Sequence, residues 1–404
     1  MTTHISPKSI NIDLGSAEFK ARAYLLLAEW AKEPPFFNTV NGVTQLIACR
    51  YEDVQAIFGD AETFSSSTPR GRGYEQFDRF MGSQFLTQMD GESHARLRRL
   101  FMPAFSVRRV AQIEQDLEQI FDKMLDDISA GPDEFDAVSS YATHFAVIAL
   151  LTVMLKLTEA QKQVLVNWGE VQPLLTATKP GQPWAPEVMA AYQETAAVIR
   201  EVIEERRARP GSDFVSDLVL ANEQGDKLSN EELFACIFGV FAALATMPRS
   251  GSGALLSLYS HPGQLEQIVA DETLLPHALE ECFRYAGNGY LTFPRVATTD
   301  TVVGGVAVPK GTIVRPSPLG ANYDPTMFPN PTTFDIHRKP RRIMTFGSGP
   351  HHCPGNILAR KALTLAIGKF IKRFPDARIA VPDFVPEFGG AVGELRLKSL
   401  PLRK

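Results

Sequence analysis

Apolar residues recur at helical spacing along most of this chain, and only short stretches switch to alternation or lose the pattern. Residues 17–32 predict a helix that ends near Lys32, where Pro34-Pro35 breaks it. Phe36 to Val40 and Val43 to Cys49 flank Asn41-Gly42, which predicts a hairpin closed by a type I′ turn. Tyr51 to Phe58 reads as a short helix. Residues 60–86 are rich in Ser, Gly and Arg and read as a long loop, a feature that in compact domains usually serves function. A further helix opens after Asp90. Helical spacing then covers 107–129, 140–157 and 186–208, with breaks at Gly131-Pro132 and Pro180-Gly181. The apolar stretch from Trp168 to Pro183 either covers a pocket or packs in the core.

The longest predicted helix is 229–260. Ser229 or Asn230 caps it, with Glu231 and Glu232 in its first turn. Phe234, Ile237, Phe238 and Phe241 form an apolar stripe. Pro248 interrupts the pattern. It removes the bond to the Leu244 carbonyl, costs about 3 kcal/mol and is expected to bend the helix. Short strands follow at Thr301 to Val303, Val306 to Val308 and Thr312 to Val314.

One stretch carries distinctive chemistry: Phe346-Gly-Ser-Gly-Pro-His-His-Cys353-Pro-Gly-Asn-Ile-Leu-Ala-Arg360. Its glycines predict a tight turn lined by backbone, and the apolar spacing from Ile357 to Phe370 predicts a helix after it. Pro354 suits a first helical position, which would put Cys353 at or just before a helix N-terminus. The unpaired N–H groups there favour a thiolate, either a nucleophile beside His351 or His352 or a metal ligand. His94 and Arg98 lie four apart on one helical face and are suited to hold an anion.

Composition narrows the possibilities. The chain has 404 residues, 44% hydrophobic and 22% charged, with no repeat and no linker at which to divide it. A net charge of −5 argues against nucleic acid as a partner. Met1 to Gly15 is polar, so a flexible N-terminus is expected, without signal peptide or membrane anchor. The four cysteines form no zinc or disulfide spacing; Cys49, Cys236 and Cys282 read as small buried hydrophobes.

The pattern Phe-Gly-x-Gly-x-His-x-Cys-x-Gly-x-x-Leu-Ala-Arg resembles the haem-ligand loop of the cytochrome P450 superfamily at every fixed position. The resemblance extends from about residue 36 to the C-terminus. It implies a mainly α fold with small β-sheets, a single domain over 1–404, and haem b (iron protoporphyrin IX) with Cys353 as axial ligand. It further implies cofactor contacts from Phe346, Gly347, His94, Arg98, Arg295 and His351, the last four to the propionates. Glu281, Arg284 and Arg338 are similar to a buried structural ion-pair group.

The central helix resembles the family's distal helix. Counting back from His261-Pro262 puts Ala245 at the position of the usual acid and Thr246 at the proton-delivering alcohol. The alcohol is kept and the acid is lost. Ala-Thr-Met is similar to a nitric oxide reductase branch of the family, so the resemblance leaves monooxygenation, nitric oxide reduction, phenol coupling and peroxide-driven oxidation open, with a haem sensor or carrier as the non-enzyme reading. An apolar small organic substrate is expected against Phe85, Leu86, Phe241, Leu244 and Phe293, with Phe77 and Phe80 nearby. Arg70, Arg72, Arg249 and Tyr290 are expected at the surface. Ferredoxin and ferredoxin reductase would supply electrons, docking on Arg99, Arg341, Arg342, Arg360 and Lys361. A cytoplasmic monomer without membrane insertion is expected.

Overall fold

The computed structural model describes residues 8–40, 43–67, 85–177, 183–223, 225–287 and 289–404; the side chains of 40, 146, 149–150, 172–173, 175–177, 222–223 and 242–245 lie outside that description. Helices dominate, and the strands gather into small sheets. The largest sheet has six strands in the order Ser9–Ile10, Phe36–Val40, Val43–Ala48, Ile313–Pro316, Arg295–Ala297, Phe64–Ser65. The 36–40 and 43–48 strands pair antiparallel from Phe36 opposite Ile47 to Val40 opposite Val43, as the predicted hairpin requires. Its Asn41-Gly42 turn lies outside the described residues. The polar N-terminus is not uniformly loose: Ser9–Ile10 pairs parallel with Phe37 and Asn38, Asn38 bonds both ways with Ile12, and Leu14 is buried.

Helices Ala17–Trp30, Tyr51–Gly59 and Gly91–Phe101 stand where the periodicity puts them. Three longer predictions are subdivided. The 107–129 pattern is two helices, Val107–Gln112 and Glu114–Ala130, meeting at Ile113, whose ψ of −3° leaves the helical well. The 140–157 region widens to π winding over Val138–Ala142 and Ala149–Met154 around an α segment Thr143–Ile148. The central helix is Asn230–Val240 followed by Ala242–Tyr259, with the change of winding at Phe241 rather than at Pro248. Ser229 caps it in a reciprocal capping box with Glu232. The helix continues through Pro248 because its neighbours are fixed by tertiary contacts: Met247 is buried and Arg249 is buried in an ion pair.

Two glycines set how closely the central helix is packed. A Cβ on Gly251 would lie 2.6 Å from the Phe145 ring, and one on Gly253 would lie 2.8 Å from the Ala286 carbonyl. The helix therefore approaches the 143–148 segment and the end of helix Leu275–Tyr285 at backbone distance. Leu363, on helix Asn356–Arg373, closes the same contact at Gly251. Trp168 lies inside helix Glu159–Ala177, buried against Tyr192 and Phe238, so this part of the 168–183 stretch is core; residues 178–182 lie outside the described residues.

Candidate cofactor site

The Cys353 loop is built by backbone geometry. Gly347 and Gly349 take φ of +69° and +67°, a region that L side chains rarely adopt. The Cys353 N–H donates to the Phe346 carbonyl at 2.8 Å, and the His352 N–H to the Gly349 carbonyl at 3.1 Å. A Cβ on Gly349 would sit 2.2 Å from the Phe58 carbonyl oxygen, at the end of helix Tyr51–Gly59. Gly349→Ala therefore combines left-handed strain with a backbone collision. We expect a loss of at least about 2 kcal/mol in urea unfolding, with weaker haem retention. A variant as stable as the parent would show that the loop relaxes freely.

The helix after the cysteine starts at Asn356, not at Pro354, with Gly355 as its cap. Cys353 thus lies in the turn before the cap. Burial pushes its thiol up, and the Gly355 N–H, Arg98 and Arg360 pull the other way without overcoming it. The unpaired N–H groups of the helix end, expected to favour a thiolate, are outweighed here by burial. The distance to the helix weakens its dipole, and desolvation prevails. A bound metal would supply the missing positive charge. Cys49 and Cys236, by comparison, are fully enclosed with thiols pushed up to about 12.

Phe346 lies under the loop with its ring 5.5 Å from Phe283, and the Arg360 guanidinium stacks on it at 4.3 Å. Arg360 is also paired with Glu280, Lys361 with Glu114 and Arg99 with Glu92. Three of the five cations expected to form a docking face are thus engaged with carboxylates of the same chain. Arg341 and Arg342 are exposed.

Four basic side chains, two from one helix, one from a strand and one from the loop itself, meet here. His94 is 3% exposed on helix Gly91–Phe101, and its ring lies 4.2 Å from that of His351. Arg98, one turn on, donates to the His352 carbonyl at 2.6 Å. Arg295, 6% exposed on its strand, reaches its neighbours' carbonyls at 3.3–3.4 Å and lies over the Phe58 ring at 6.0 Å. His351 meets Ser66 at 2.9 Å and Asp90 at 3.2 Å. Asp90 and Ser66 are the partners that sequence reasoning missed; nothing in their spacing from His351 marks them. Burial, then His351 and Arg98, lower the His94 pKa to about 4, while burial lowers that of Arg295. Asp90 is held well below the usual carboxylate range; bonds from His351, Ser65 and backbone N–H groups outweigh its burial.

His94 Nε2 is buried without a partner. A buried polar atom left this way is costly, and a carboxylate-bearing group would relieve it in the tautomer that carries the proton on Nε2. The cluster holds more positive than negative capacity, which fits a cofactor with two carboxylates. The sign of the pH effect follows. His94 is neutral in the folded haem-free chain and protonates more readily when unfolded, so stability falls as pH drops from about 6.5 toward 4. Thermal unfolding of the haem-free chain across that window is expected to show this slope. His94→Gln should flatten it, and an unchanged slope would place the effect elsewhere.

The distal residues are only partly brought together. Phe85 is buried and its ring would contact a Cβ on Gly239 at 3.1 Å, so it packs on the Asn230–Val240 segment; Leu86 is partly buried against the core. Phe241 is buried beside Phe238. Phe293 departs from expectation: it is 52% exposed, two residues before the strand that begins at Arg295. Thr246 lies part-buried within helix Ala242–Tyr259. The side chains of Leu244 and Ala245, and Arg70, Arg72, Phe77 and Phe80, lie outside the described residues. Arg249 and Tyr290 are buried instead of at the surface, Arg249 paired with Glu394 and Tyr290 donating to the Leu14 carbonyl at 2.6 Å.

A cysteine in a glycine turn, with buried basic side chains gathered at the same loop, is an arrangement that suits a thiolate-ligated, carboxylate-bearing cofactor. Comparison with known proteins bears this out: the family model described as cytochrome P450 matches residues 27–376, and the chain belongs to that family. It is similar to cytochrome P450 107B1 of Saccharopolyspora erythraea, 32% identical across 100% of this chain and 99% of that protein. It is also similar to the mycinamicin IV hydroxylase/epoxidase of Micromonospora griseorubida, 30% identical over 87% of this chain and 86% of the relative. Among solved structures, the cytochrome P450 PksS of the Bacillus subtilis bacillaene polyketide synthase matches with a TM-score of 0.88 at 26% identity, over 97% and 99% of the two chains. Epothilone D-bound P450epoK matches at 0.87 and 26%, over 98% and 99%. The chain is therefore a haem-dependent oxidoreductase of the P450 monooxygenase kind. No helix among the described residues is long and apolar enough to cross a membrane.

Proposed function

We propose that this chain oxidises an apolar organic molecule, by hydroxylation or a related insertion of oxygen, with electrons from a ferredoxin and its reductase. The observation that carries the reading is the meeting of the Cys353 loop with the His94, Arg98, Arg295 and His351 cluster, in which His94 Nε2 lacks a partner. The names of the relatives support compounds of the mycinamicin and epothilone kind as the substrate class.

Cys353 would hold the iron, and the four basic residues would hold the propionates. Haem supplies dioxygen activation at iron when bound, strengthened by a thiolate ligand. The protein's contribution is local. Gly355, Arg98 and Arg360 reduce the cost of charge on Cys353 Sγ. A propionate beside His94 raises its affinity for a proton and ends its isolation. Phe85 and Phe241 exclude water from the apolar side. Thr246 Oγ1 passes a proton toward the distal face, and with alanine at 245 the next carrier is water or a polar group of the substrate. That missing acid also favours a second reading, nitric oxide reduction without a redox partner.

The deciding experiment is the spectrum of the ferrous carbon monoxide complex, followed by titration of the ferric Soret band with mycinamicin-like macrolides and smaller apolar compounds. A strongly red-shifted carbonyl band and a spin shift with one class are expected. A band without the red shift would overturn the thiolate. A red-shifted band with no spin shift, together with nitric oxide-driven NADH oxidation, would establish the second reading.

A further inference from the structure

Pro248 cannot donate to the Leu244 carbonyl, so the turn that carries Thr246 lacks one helix bond. The next residue, Arg249, is 7% exposed and its Nη1 is ion-paired with Glu394 Oε2. Ser252 Oγ donates to the Arg249 carbonyl at 3.1 Å, which fixes the backbone on the other side of the arginine.

Glu394 is a firm anchor. It lies in the turn between strands Phe388–Gly389 and Arg396–Leu397, where Gly390 and Gly393 take φ of +102° and +98°. Its carboxylate also accepts from the Ala391 N–H at 3.3 Å. Lys20 Nζ, from helix Ala17–Trp30, donates to the Gly390 carbonyl. Gly289 bridges to Glu394, and the Tyr290 N–H donates to the Gly393 carbonyl at 2.9 Å. The segment fastened there runs on to Arg295, a member of the cation cluster. The Arg249–Glu394 pair therefore joins the weakened helix turn to the strand that carries a cofactor contact.

We propose that Arg249 is a positioning residue: its ion pair with Glu394 replaces the helix bond that Pro248 removes, and fixes Thr246 relative to the segment bearing Arg295. This rests on the reading of Thr246 as the proton-delivering alcohol. Burial makes the pair effective. An arginine this enclosed keeps one geometry, and removing its partner leaves a charge without compensation. Arg249 acts through Thr246 and touches no reacting atom.

The test uses the haem-loaded protein. In Arg249→Met, amide hydrogen exchange over 242–252 is expected to accelerate about tenfold or more, with peptides over 275–285 unchanged. The C–O stretch of the ferrous carbon monoxide complex is expected to broaden or split as the Thr246 hydroxyl loses its single position. The charge-exchanged variant R249E/E394R should recover both signals. If Arg249→Met fails to fold, Glu394→Gln carries the test, since that carboxylate is the more exposed partner and the same local acceleration is expected. Exchange over 242–252 that stays at the parent rate, or a charge exchange no better than the single variants, would overturn the proposal. Thr246→Val separates the two assignments. A stretch moved by Thr246→Val but not by Arg249→Met removes the positioning role. A stretch that Thr246→Val leaves unmoved removes the alcohol's role, and the exchange rates still decide whether the ion pair braces the turn.

Discussion

Cys353→Ser is expected to abolish the red-shifted carbon monoxide band and to lower turnover by more than about 100-fold, since even the outer partners of a metal ligand are worth roughly 10–100-fold. A serine hydroxyl is a far weaker acid than a thiol and a harder donor, so it does not replace the thiolate on iron. No other cysteine can substitute. Cys49, Cys236 and Cys282 are all buried, with their thiols pushed up by desolvation, whereas Cys353 alone is part-exposed. The backbone of the loop should survive. Its geometry comes from Gly347, Gly349 and the bond between the Cys353 N–H and the Phe346 carbonyl, none of which involves sulfur. The checks are the ferrous carbon monoxide spectrum and circular dichroism on one preparation. Retention of the red-shifted band with native dichroism would show that another group binds the iron.

The second large effect concerns stability. Glu281 and Arg284 are both fully buried and form two bonds of 2.7 Å, and Arg338 adds a third contact to Glu281 at 3.1 Å. Arg284 also donates to the carbonyls of Asn322, Pro331 and Thr333 and lies near the rings of Tyr285, Tyr323 and Phe328. Arg284→Met should cost about 3–5 kcal/mol, because it removes the two Arg284 bonds from the buried Glu281 charge and takes their side-chain donor from the Asn322 and Pro331 carbonyls. For a chain of this size that corresponds to a melting temperature lower by roughly 4–6 °C. Arg338 remains beside Glu281, so the loss should fall short of unfolding. The effect should reach the haem. The Phe283 carbonyl accepts from Thr345 at 2.6 Å, and its ring packs on Phe346, so the same helix braces the Cys353 loop. Glu281→Met/Arg284→Met should recover part of the stability, since it removes both fully buried charges and leaves Arg338 with the Pro329, Asn330 and Thr333 carbonyls as acceptors. A double variant no better than Arg284→Met would show that the carbonyl contacts, not the ion pair, hold this region.

The motif around Cys353 was readable because it is local. Glycine positions, the histidine two residues before the cysteine and the helix after it lie within fifteen residues, and each is fixed by backbone sterics or short-range hydrogen bonding. His94 and Arg98 were readable for the same reason, being one helical turn apart. The Glu281–Arg284 pair was legible as spacing, but only the enclosure of both groups distinguishes it from a surface pair worth a few tenths of a kcal/mol. The misplacement of the helix start after Cys353 is a local error of two residues with a chemical consequence, since it removes the cysteine from the strongest part of the helix dipole. Arg249 and Tyr290 were misjudged because burial of a polar side chain depends on what lies opposite it. Their partners, Glu394 and the Leu14 carbonyl, are distant in sequence.

By itself the sequence determined the mainly helical class, the glycine-built turn before Cys353 and the placing of His94 and Arg98 on one face of the 91–101 helix. Each of these is carried by periodicity, by glycine and proline, or by residues within a turn of one another. Only the tertiary structure decided that His94 and Arg98 converge with Arg295 and His351 from two other segments, with Asp90 the carboxylate beside them among the described residues, that the Cys353 thiol is opposed by its own burial, and that the proline-weakened turn is tied to Glu394. Those outcomes depend on desolvation and on long-range pairing, which are properties of the packed chain.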